Sequence, residues 1–298
     1  MSPHLFDMPF STSVLINNYN NERYLRACVD SALNQTRPAD EVVVYDDGST
    51  DGSLAILRSY VDRIVLIEGV HDNRRPSRAS QSNAVYQAFL RSRGDYLFLL
   101  DGDDVFHPSK VEKIMAAIGE QTDISMAQSP CTLIDETGGL TGHYRDDRFH
   151  VSDAKTAIYA QNDVDFFYPT SAMVVSRPAL QRILPLDMSV CPQLACDTRI
   201  AMCTPLLGRV ITVDEPLASW RRHRSSYISV IEQSRWFQAK QTYRRVRTYN
   251  SVAPKFNAAG LHLWANRRFW KQVIGALLPS FLRNRLRKNV SVVAANNA

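Results

Sequence analysis

Three carboxylates lie within four residues, directly after a run of apolar side chains. The apolar run is Leu97–Leu100, and the acidic residues that follow it are Asp101, Asp103 and Asp104. Carboxylates this close together repel one another unless a cation neutralises their charge. Mg²⁺ and Mn²⁺ prefer oxygen ligands of this kind and commonly share them with the phosphates of a substrate. The sequence therefore predicts a divalent-metal site that faces a phosphate-bearing molecule.

A second acidic turn follows another apolar run nearer the N-terminus. Val42–Tyr45 has the pattern of a strand, and Asp46, Asp47 and Gly48 come directly after it. Ligands of parallel α/β sheets bind just beyond the carboxyl ends of the strands. We therefore expect both acidic turns to border one crevice, in which a nucleotide would bind.

The rest of the first hundred residues alternates between strand and helix patterns. Apolar residues recur at helical spacing in 22–35, and Thr36-Arg37-Pro38 ends that helix. We predict strands at 13–17, 42–45, 64–68 and 96–100, and helices at 22–35, 53–60 and 79–91. A strand, a helix and a parallel strand in succession form a right-handed crossover. The alternation predicts an α/β fold, a Rossmann-like three-layer α/β/α domain with a mostly parallel central sheet.

After Pro108 the pattern is less regular. We predict helices at 109–118, 178–183 and 196–206, and strands at 123–128, 132–135, 172–175 and 210–213. Residues 141–168 are polar and aromatic without a clear period, and we interpret them as a loop region. We expect residues 1–224 to form the α/β domain and residues 225–298 to form a basic, mostly helical extension.

The net charge of +5 is distributed unevenly along the chain. Between Arg221 and Lys288 the single acidic residue is Glu232, whereas the residues before Arg221 carry an excess of acid. Such a basic segment can meet an anionic surface or pack on the acidic part, and it can equally be a solvated helical face. No nucleic-acid-binding motif accompanies it, so we expect no nucleic-acid partner.

Composition narrows the class of protein further. The five cysteines are scattered without metal-ligand spacing, and no secretory leader is visible. We therefore expect free thiols in a cytoplasmic protein. No stretch approaches the roughly 20 apolar residues of a membrane span. The first strand is not followed by a Gly-x-Gly-x-x-Gly motif, which argues against a dinucleotide-binding dehydrogenase.

Four sequence elements, taken together, resemble glycosyltransferase family 2, whose members have the GT-A fold. In chain order they are Val14–Asn20, Ser31-x-x-x-Gln35, Asp46–Asp51 and Leu99–Asp104, and the resemblance extends over roughly residues 12–225. It implies metal-dependent, inverting transfer of a sugar from a nucleotide diphosphate-sugar, most often a UDP-sugar, to an acceptor hydroxyl. It further implies a role in making cell-surface polysaccharide or a lipid-linked glycan.

The resemblance assigns a set of nucleotide contacts. Tyr19 offers a ring on which the base can stack, although it can also be a tyrosine at the rim of the sheet. Asp46, or Asp47 in its place, can accept from the ring N–H of the base, and Asp47 can also simply shape a turn. Arg78, or Arg74 or Arg75 in its place, suits a phosphate. The full set of nucleotide-binding candidates is Tyr19, Asn20, Asp46, Asp47, Arg78, Asn83 and Asp101.

The resemblance also assigns the metal ligands and a catalytic base. Asp101 and Asp103 match the family's Asp-x-Asp, with Asp103 as a ligand of Mn²⁺ or Mg²⁺ and Asp101 reaching the ribose or the metal. Asp197 matches the catalytic aspartate, but Cys196 stands where the family usually has a glutamate. An acid at this position can also serve only to start a helix.

Two further features lie near the C-terminus. Arg221 and His223 match the family's Arg-x-His pattern near the diphosphate and the metal. Phe269–Pro279 is apolar and Phe281–Lys288 is strongly basic, a combination that can lie on an anionic membrane surface. Such a surface would suit a lipid-linked acceptor at the inner face of a plasma membrane. Packing of this helix on the α/β domain is an equal alternative.

Two other functions fit parts of the sequence. Phe98–Val105 also fits the Asp-x-Asp-x-Val strand of haloacid dehalogenase-like phosphatases, with Asp101 as nucleophile and Asp103 as acid/base. That motif normally opens its domain, whereas here about a third of the chain precedes it. A non-catalytic nucleotide-sugar-binding protein is the second alternative, and its only support is the glutamate missing before Asp197.

Overall fold

The computed structural model describes residues 9–150, 153–223 and 234–277. Eleven strands lie within these ranges, and they form two sheets. In chain order the strands are β1 (Thr12–Asn18), β2 (Glu41–Asp46), β3 (Val65–Glu68), β4 (Tyr96–Asp101), β5 (Val105–Phe106), β6 (Ile124–Gln128), β7 (Cys131–Ile134), β8 (Leu140–Tyr144), β9 (Met173–Ser176), β10 (Arg209–Thr212) and β11 (Ala218–Arg221).

The larger sheet has seven strands in the order β10-β6-β9-β4-β1-β2-β3. At its centre β1 pairs in parallel with β2 on one side and with β4 on the other. β9 alone runs antiparallel to its neighbours β4 and β6. The predicted α/β fold with a mostly parallel sheet is therefore confirmed. The reversal at β9 was not predicted, because a short apolar strand carries no signal of its direction.

Helices cover both faces of this sheet, which explains why the middle residues of its central strands are apolar. Within the described residues the α-helices are α1 (Glu22–Leu33), α2 (Ser53–Arg58), α3 (Ser77–Arg91), α4 (Lys110–Ile118), α5 (Ala154–Gln161), α6 (Arg177–Ile183), α7 (Cys196–Cys203), α8 (Arg235–Val252) and α9 (Arg267–Leu277). α1 shows the general pattern, since its apolar stripe of Leu25, Cys28, Val29 and Ala32 is buried in the core.

A smaller, four-stranded sheet has the order β5-β11-β7-β8. Its presence corrects the expectation that 141–168 is a loop region, because β8 and α5 both lie there. β8 pairs with β7 through main-chain groups, so its polar residues left no apolar pattern to detect. α5 is short and begins at Asp153, whose side chain accepts a hydrogen bond from the Thr156 amide at 2.9 Å.

The described part of the C-terminal extension packs on the α/β domain. Val246 and Tyr249 of α8 belong to the buried core, and the Tyr249 hydroxyl donates to the Tyr159 hydroxyl at 3.0 Å. Asn266, just before α9, donates to the carbonyl of Asn162 at 2.7 Å. In the described ranges no helix has both the length and the apolar character needed to cross a bilayer.

Candidate active site

The carboxyl ends of β4, β1 and β2 lie side by side and bring the two acidic turns together. Asn17 of β1 is in register with Asp101 of β4, and Asn18 is in register with Asp46 of β2. Both asparagine side chains bridge the strands: Asn17 Nδ2 donates to Asp101 Oδ1 at 2.8 Å, and Asn18 Nδ2 donates to Asp46 Oδ2 at 2.7 Å. The adjacent strand ends thus form one edge lined with amides and carboxylates.

Asp101 is half-buried at this edge and surrounded by acid. Burial, followed by the charge of Asp103 and then that of Asp197, raises the pKa of Asp101 to about 6. Hydrogen bonds from Asn17 and from Gln81 Nε2, at 3.0 Å, act in the opposite direction because they favour the carboxylate. A cation near Asp101 would relieve this repulsion.

Asp103 reaches a histidine from the other end of the domain. His223 Nε2 lies 2.9 Å from Asp103 Oδ2, just after β11. Gly102, which precedes Asp103, lies so close to β1 that an added Cβ would be 2.7 Å from Asn18 Oδ1. A side chain at position 102 would therefore push the turn away from the strand end.

Buried polar groups hold the turn that carries Asp101, Asp103 and Asp104. Asp104 accepts from the Ser171 hydroxyl at 2.6 Å and from the Arg221 amide at 2.7 Å. Burial, and then the nearby Asp103 and Asp101 charges, raise the pKa of Asp104. Arg221 also donates through Nε to the carbonyl of Asp103 at 2.7 Å. Arg221 is buried, and its Nη1 donates to the carbonyl of Asp135 at 2.8 Å, so its guanidinium holds the turn.

The donors present suit a divalent ion that is shared with a ligand. Asp103 supplies a carboxylate and His223 an imidazole, and Asp101 lies near them. Among the described residues no group of three or more His, Cys, Asp or Glu side chains is arranged to hold a metal by itself. Mg²⁺ and Mn²⁺ sites of this kind use one or two carboxylates and take the remaining ligands from phosphate and water. The residues therefore fit such an ion.

At the other side of the crevice, Asp47 lies under a pair of stacked rings. His71 Nδ1 is 2.7 Å from Asp47 Oδ2, and the imidazole stacks on the Tyr19 ring at 4.1 Å between centroids. Asp47 is almost fully buried, whereas Tyr19 is exposed. Gly48 has a φ of +71°, and an added Cβ would lie 2.7 Å from the His71 amide nitrogen. The glycine thus lets the two loops approach closely.

Asp46 and Asn20 shape the loop that carries these rings. Both oxygens of Asp46 are occupied, because Oδ1 accepts from the Ser49 amide and Oδ2 from Asn18 and the Ser49 hydroxyl. Asp46 has no exposed surface. Asn20 has a φ of +53°, and its Oδ1 accepts from the Thr50 amide at 2.8 Å. In this structure both residues hold the turn.

Arg78 and Asn83 lie on α3 and face different regions. Arg78 Nη1 is 3.5 Å from Gln81 Oε1, and Gln81 in turn donates to Asp101, so Arg78 lies beside the acidic edge. Asn83 Nδ2 donates to the hydroxyl of Tyr45, a residue of β2, at 3.3 Å. Burial, and then the charge of Asp47, raise the pKa of Tyr45.

Asp197 lies in the first turn of α7 and lines a cavity of about 470 Å³. It is close enough to Asp101 to contribute to the raised pKa of that carboxyl. The neighbouring Cys196 is buried, and this burial, followed by the charge of Asp197, raises the thiol pKa to about 12. Cys196 is therefore a neutral thiol at physiological pH. Of the two acids that the family usually has at these positions, this chain keeps only Asp197.

The structure adds residues that were not among the site predictions. His71, Gln81 and Ser171 contact Asp47, Asp101 and Asp104 respectively. The only sequence signal for His71 was its place shortly after a predicted strand. Nothing in the sequence pointed to Ser171, because its contact depends on the path of the chain before β9.

Known proteins resemble this chain in sequence. The profile described as glycosyl transferase family 2 matches residues 13–184. An uncharacterized glycosyltransferase from Nostoc sp. is 30% identical over 71% of this chain and 64% of its own length. The matches to the putative glycosyltransferases EpsH and EpsE of Bacillus subtilis span 32% and 45% of those proteins. The chain thus spans less than two thirds of the length of these curated relatives.

Solved structures share the fold at low sequence identity. The mannosyltransferase PcManGT from Pyrobaculum calidifontis, in complex with GDP-Man and Mn²⁺, has a TM-score of 0.62 at 16% identity, over 99% of this chain and 83% of its own. TarS 1-349 of S. aureus in complex with UDP-GlcNAc has a TM-score of 0.60 at 19% identity, over 88% and 72%. With the sequence profile covering more than half of its length, the chain belongs to glycosyl transferase family 2.

Proposed function

We propose that this protein is a metal-dependent, inverting glycosyltransferase that moves a sugar from a UDP-sugar to an acceptor hydroxyl. One observation carries the proposal: Asp101, Asp103 and His223 meet at one strand edge, and Asp197 lies close enough to influence Asp101. The arrangement offers oxygen and nitrogen donors for an ion beside the carboxylate of Asp197, the candidate base. Membership of glycosyl transferase family 2 supports sugar transfer as the reaction.

In this proposal each side of the crevice holds one part of the donor. Tyr19 stacks on the base, and Asp47 accepts from its ring N–H after His71 gives up its hydrogen bond to the carboxylate. Asp101 holds the ribose, and Arg78 lies beside the diphosphate. Asp103 and His223 would hold Mn²⁺ or Mg²⁺, and such an ion would stabilise the negative charge that develops on the departing diphosphate.

Asp197 is proposed as the general base. It removes the proton from the acceptor hydroxyl while the hydroxyl oxygen attacks the anomeric carbon opposite the leaving diphosphate. The C–O bond to the diphosphate breaks as the new glycosidic bond forms, so the configuration inverts. A single carboxylate suffices for this step, which is why Cys196 is compatible with activity.

The acceptor is proposed to be a polysaccharide or a lipid-linked glycan, reached at an anionic membrane surface on the cytoplasmic side. Support comes from a patch of exposed apolar residues that we call the α9 patch: Trp264, Trp270, Ile274 and Leu277. Lys271 in the same helix adds positive charge. The basic segment Phe281–Lys288, on which the same expectation rested, lies outside the described residues.

Release of free nucleotide diphosphate tests the proposal. The protein is incubated with UDP-GlcNAc or GDP-Man, with Mn²⁺ or with EDTA, and the nucleotide products are separated. We expect UDP release that depends on Mn²⁺. No release from any donor would support the non-catalytic alternative, whereas hydrolysis of p-nitrophenyl phosphate instead would support the phosphatase alternative, against which the family assignment already argues.

A further inference from the structure

The C-terminal helices α8 and α9 form part of the wall of the cavity beside Asp197. The residues predicted to contact the nucleotide base lie outside this cavity. Its walls include Asp197 and Thr198 of α7 on one side and Gln241 and Arg245 of α8 on the other. Tyr19, Asp47 and His71 do not line it. Its volume of about 470 Å³ falls within the range typical of small-molecule sites. Asp197 therefore lies between the donor edge and this cavity, and Arg78, beside the donor edge, also lines the cavity.

The charges in this cavity compensate one another. Arg245 Nη1 lies 3.4 Å from Asp165 Oδ1, and Arg268 also pairs with Asp165. Both arginines lie within 4 Å of the buried Asp163 as well, at 3.8 Å and 3.7 Å. Burial alone would raise the pKa of Asp165, but Arg245 and Arg268 outweigh it and hold that pKa below its ordinary value. The charges of Arg245 and Arg268 are thus matched by Asp163 and Asp165. Arg78, the third arginine of the lining, lies beside the donor edge, where the proposed function places the diphosphate.

The rest of the lining includes aromatic rings and uncharged amides. Trp220 and Phe237 contribute rings, and Gln193, Gln241 and Gln272 contribute amides. The Gln272 amide oxygen accepts from Thr242 at 3.0 Å. By contrast, Gln241 Oε1 is buried without a hydrogen-bond partner among the described residues. A buried acceptor without a donor is costly, and a ligand hydroxyl would supply the missing hydrogen.

We propose that this cavity is the acceptor site, that it takes the uncharged sugar of a glycan, and that Gln241 accepts a hydrogen bond from one of that sugar's hydroxyls. The inference rests on the proposed function, because it assigns the acceptor of the same transfer. Ring faces bind the C–H face of a sugar, amides bind its hydroxyls, and the carboxylate of Asp197 disfavours an acceptor that carries phosphate or carboxylate. The acceptor hydroxyl would then approach Asp197 from the side opposite the donor.

Ligand-observed saturation-transfer NMR in the presence of UDP and Mn²⁺ tests this assignment. The probes are the methyl glycosides of glucose, galactose and N-acetylglucosamine, compared with methyl glucuronide and glucose 6-phosphate. Gln241→Leu keeps the side-chain volume and removes the amide, and Gln161→Leu makes the same change at the exposed end of α5. UDP affinity and Tm are measured for every form.

We expect an uncharged glycoside to bind, and Gln241→Leu to weaken that binding roughly three- to tenfold, the loss expected for one hydrogen bond. UDP affinity should not change, and Tm should not fall, because Gln241 Oε1 has no partner to lose within the described structure. Equal binding by Gln241→Leu, a preference for the charged probes, or a fall in Tm that accounts for the loss would overturn the inference. Failure of UDP itself to bind would instead reject the proposed function, and the acceptor assignment with it.

Discussion

His223 Nε2 lies 2.9 Å from Asp103 Oδ2, although the two residues are 120 positions apart in the chain. The contact exists because β11 of the small sheet ends beside the turn that follows β4. Arg221 fastens the same turn through the carbonyl of Asp103. The last strand of the domain therefore completes the acidic site that the fourth strand begins.

The raised pKa of Asp101 predicts a stability that depends on pH. An acid whose pKa is raised by folding, here from 3.8 to about 6, destabilises the folded state once both states are ionised. The penalty is absent below about pH 4 and complete above about pH 6, where it amounts to at most about 3 kcal/mol. In EDTA, Asp101→Asn should therefore be more stable than the unmodified protein at pH 7.5, and the gap should close towards pH 4.

The amide of that variant keeps an oxygen that can accept from Asn17 and Gln81, so the change removes mainly the charge. Urea unfolding at several pH values measures the effect. A gap that stays constant with pH would mean that Asp101 is not held at a raised pKa by its surroundings.

Removal of the proposed base should separate catalysis from binding. Asp197→Asn is expected to lower kcat for transfer by about 10²- to 10⁴-fold, the usual contribution of a general base, with UDP affinity unchanged. Asp62→Asn, at an exposed position, provides the matched control. Turnover of Asp197→Asn at the rate of the control would reject this residue as the base.

His71 should compete with the nucleotide for Asp47. In the structure the His71 ring contacts Asp47 Oδ2 through Nδ1 and stacks on the ring of Tyr19. These are the two contacts that we assign to the nucleotide base. His71→Ala removes this competitor, so UDP should bind on the order of tenfold more tightly, since hydrogen bonds to charged groups contribute about 1.5–3 kcal/mol. The same variant should unfold at a lower temperature without ligand, because Asp47 loses its partner.

Calorimetric titration of UDP measures the first effect and a thermal scan the second. His143→Ala is the control, since His143 is exposed on the edge strand β8. If His71→Ala weakens UDP binding, then His71 contacts the nucleotide directly and the competition does not exist.

The α9 patch predicts binding to anionic vesicles. The double variant Trp270→Ala and Ile274→Ser removes two exposed apolar side chains from this patch, which are 44% and 54% exposed. It should sediment less with vesicles that contain anionic lipid, since insertion of apolar area and attraction of basic residues both contribute to such binding. Leu140→Ser removes an apolar residue of β8 that is 64% exposed and should have no effect. Equal sedimentation of the double variant and the unmodified protein would show that α9 does not contact lipid.

The sequence could predict the first half of the fold because each element there carries a clear period. Apolar runs such as Leu97–Leu100 form buried strands, and the acids follow at the strand ends as expected. The small sheet escaped prediction because β5 has only two residues and β8 is polar and pairs through main-chain groups. β5 is too short to show a period although its Phe106 is buried, and β8 buries little.

Within the site, the sequence predicted which carboxylates would gather at the strand ends. It could not predict which partners would occupy them. His71 lies over Asp47 only because β3 ends beside β2, and Ser171 reaches Asp104 only because the chain enters β9 from that side. Such contacts are tertiary and leave no trace in local spacing. The cavity beside Asp197 is a further case, because α8 forms one wall of it.

The most direct test of the central claim is calorimetric titration of UDP in the presence of Mn²⁺ and in EDTA. The claim is that Asp103 binds a divalent ion that in turn holds the nucleotide diphosphate. In the unmodified protein and in Asp62→Ala, Mn²⁺ should strengthen UDP binding on the order of tenfold or more, whereas Asp103→Ala should bind UDP equally weakly with and without Mn²⁺. A full Mn²⁺ effect in Asp103→Ala, or no Mn²⁺ effect in the unmodified protein, would contradict the account.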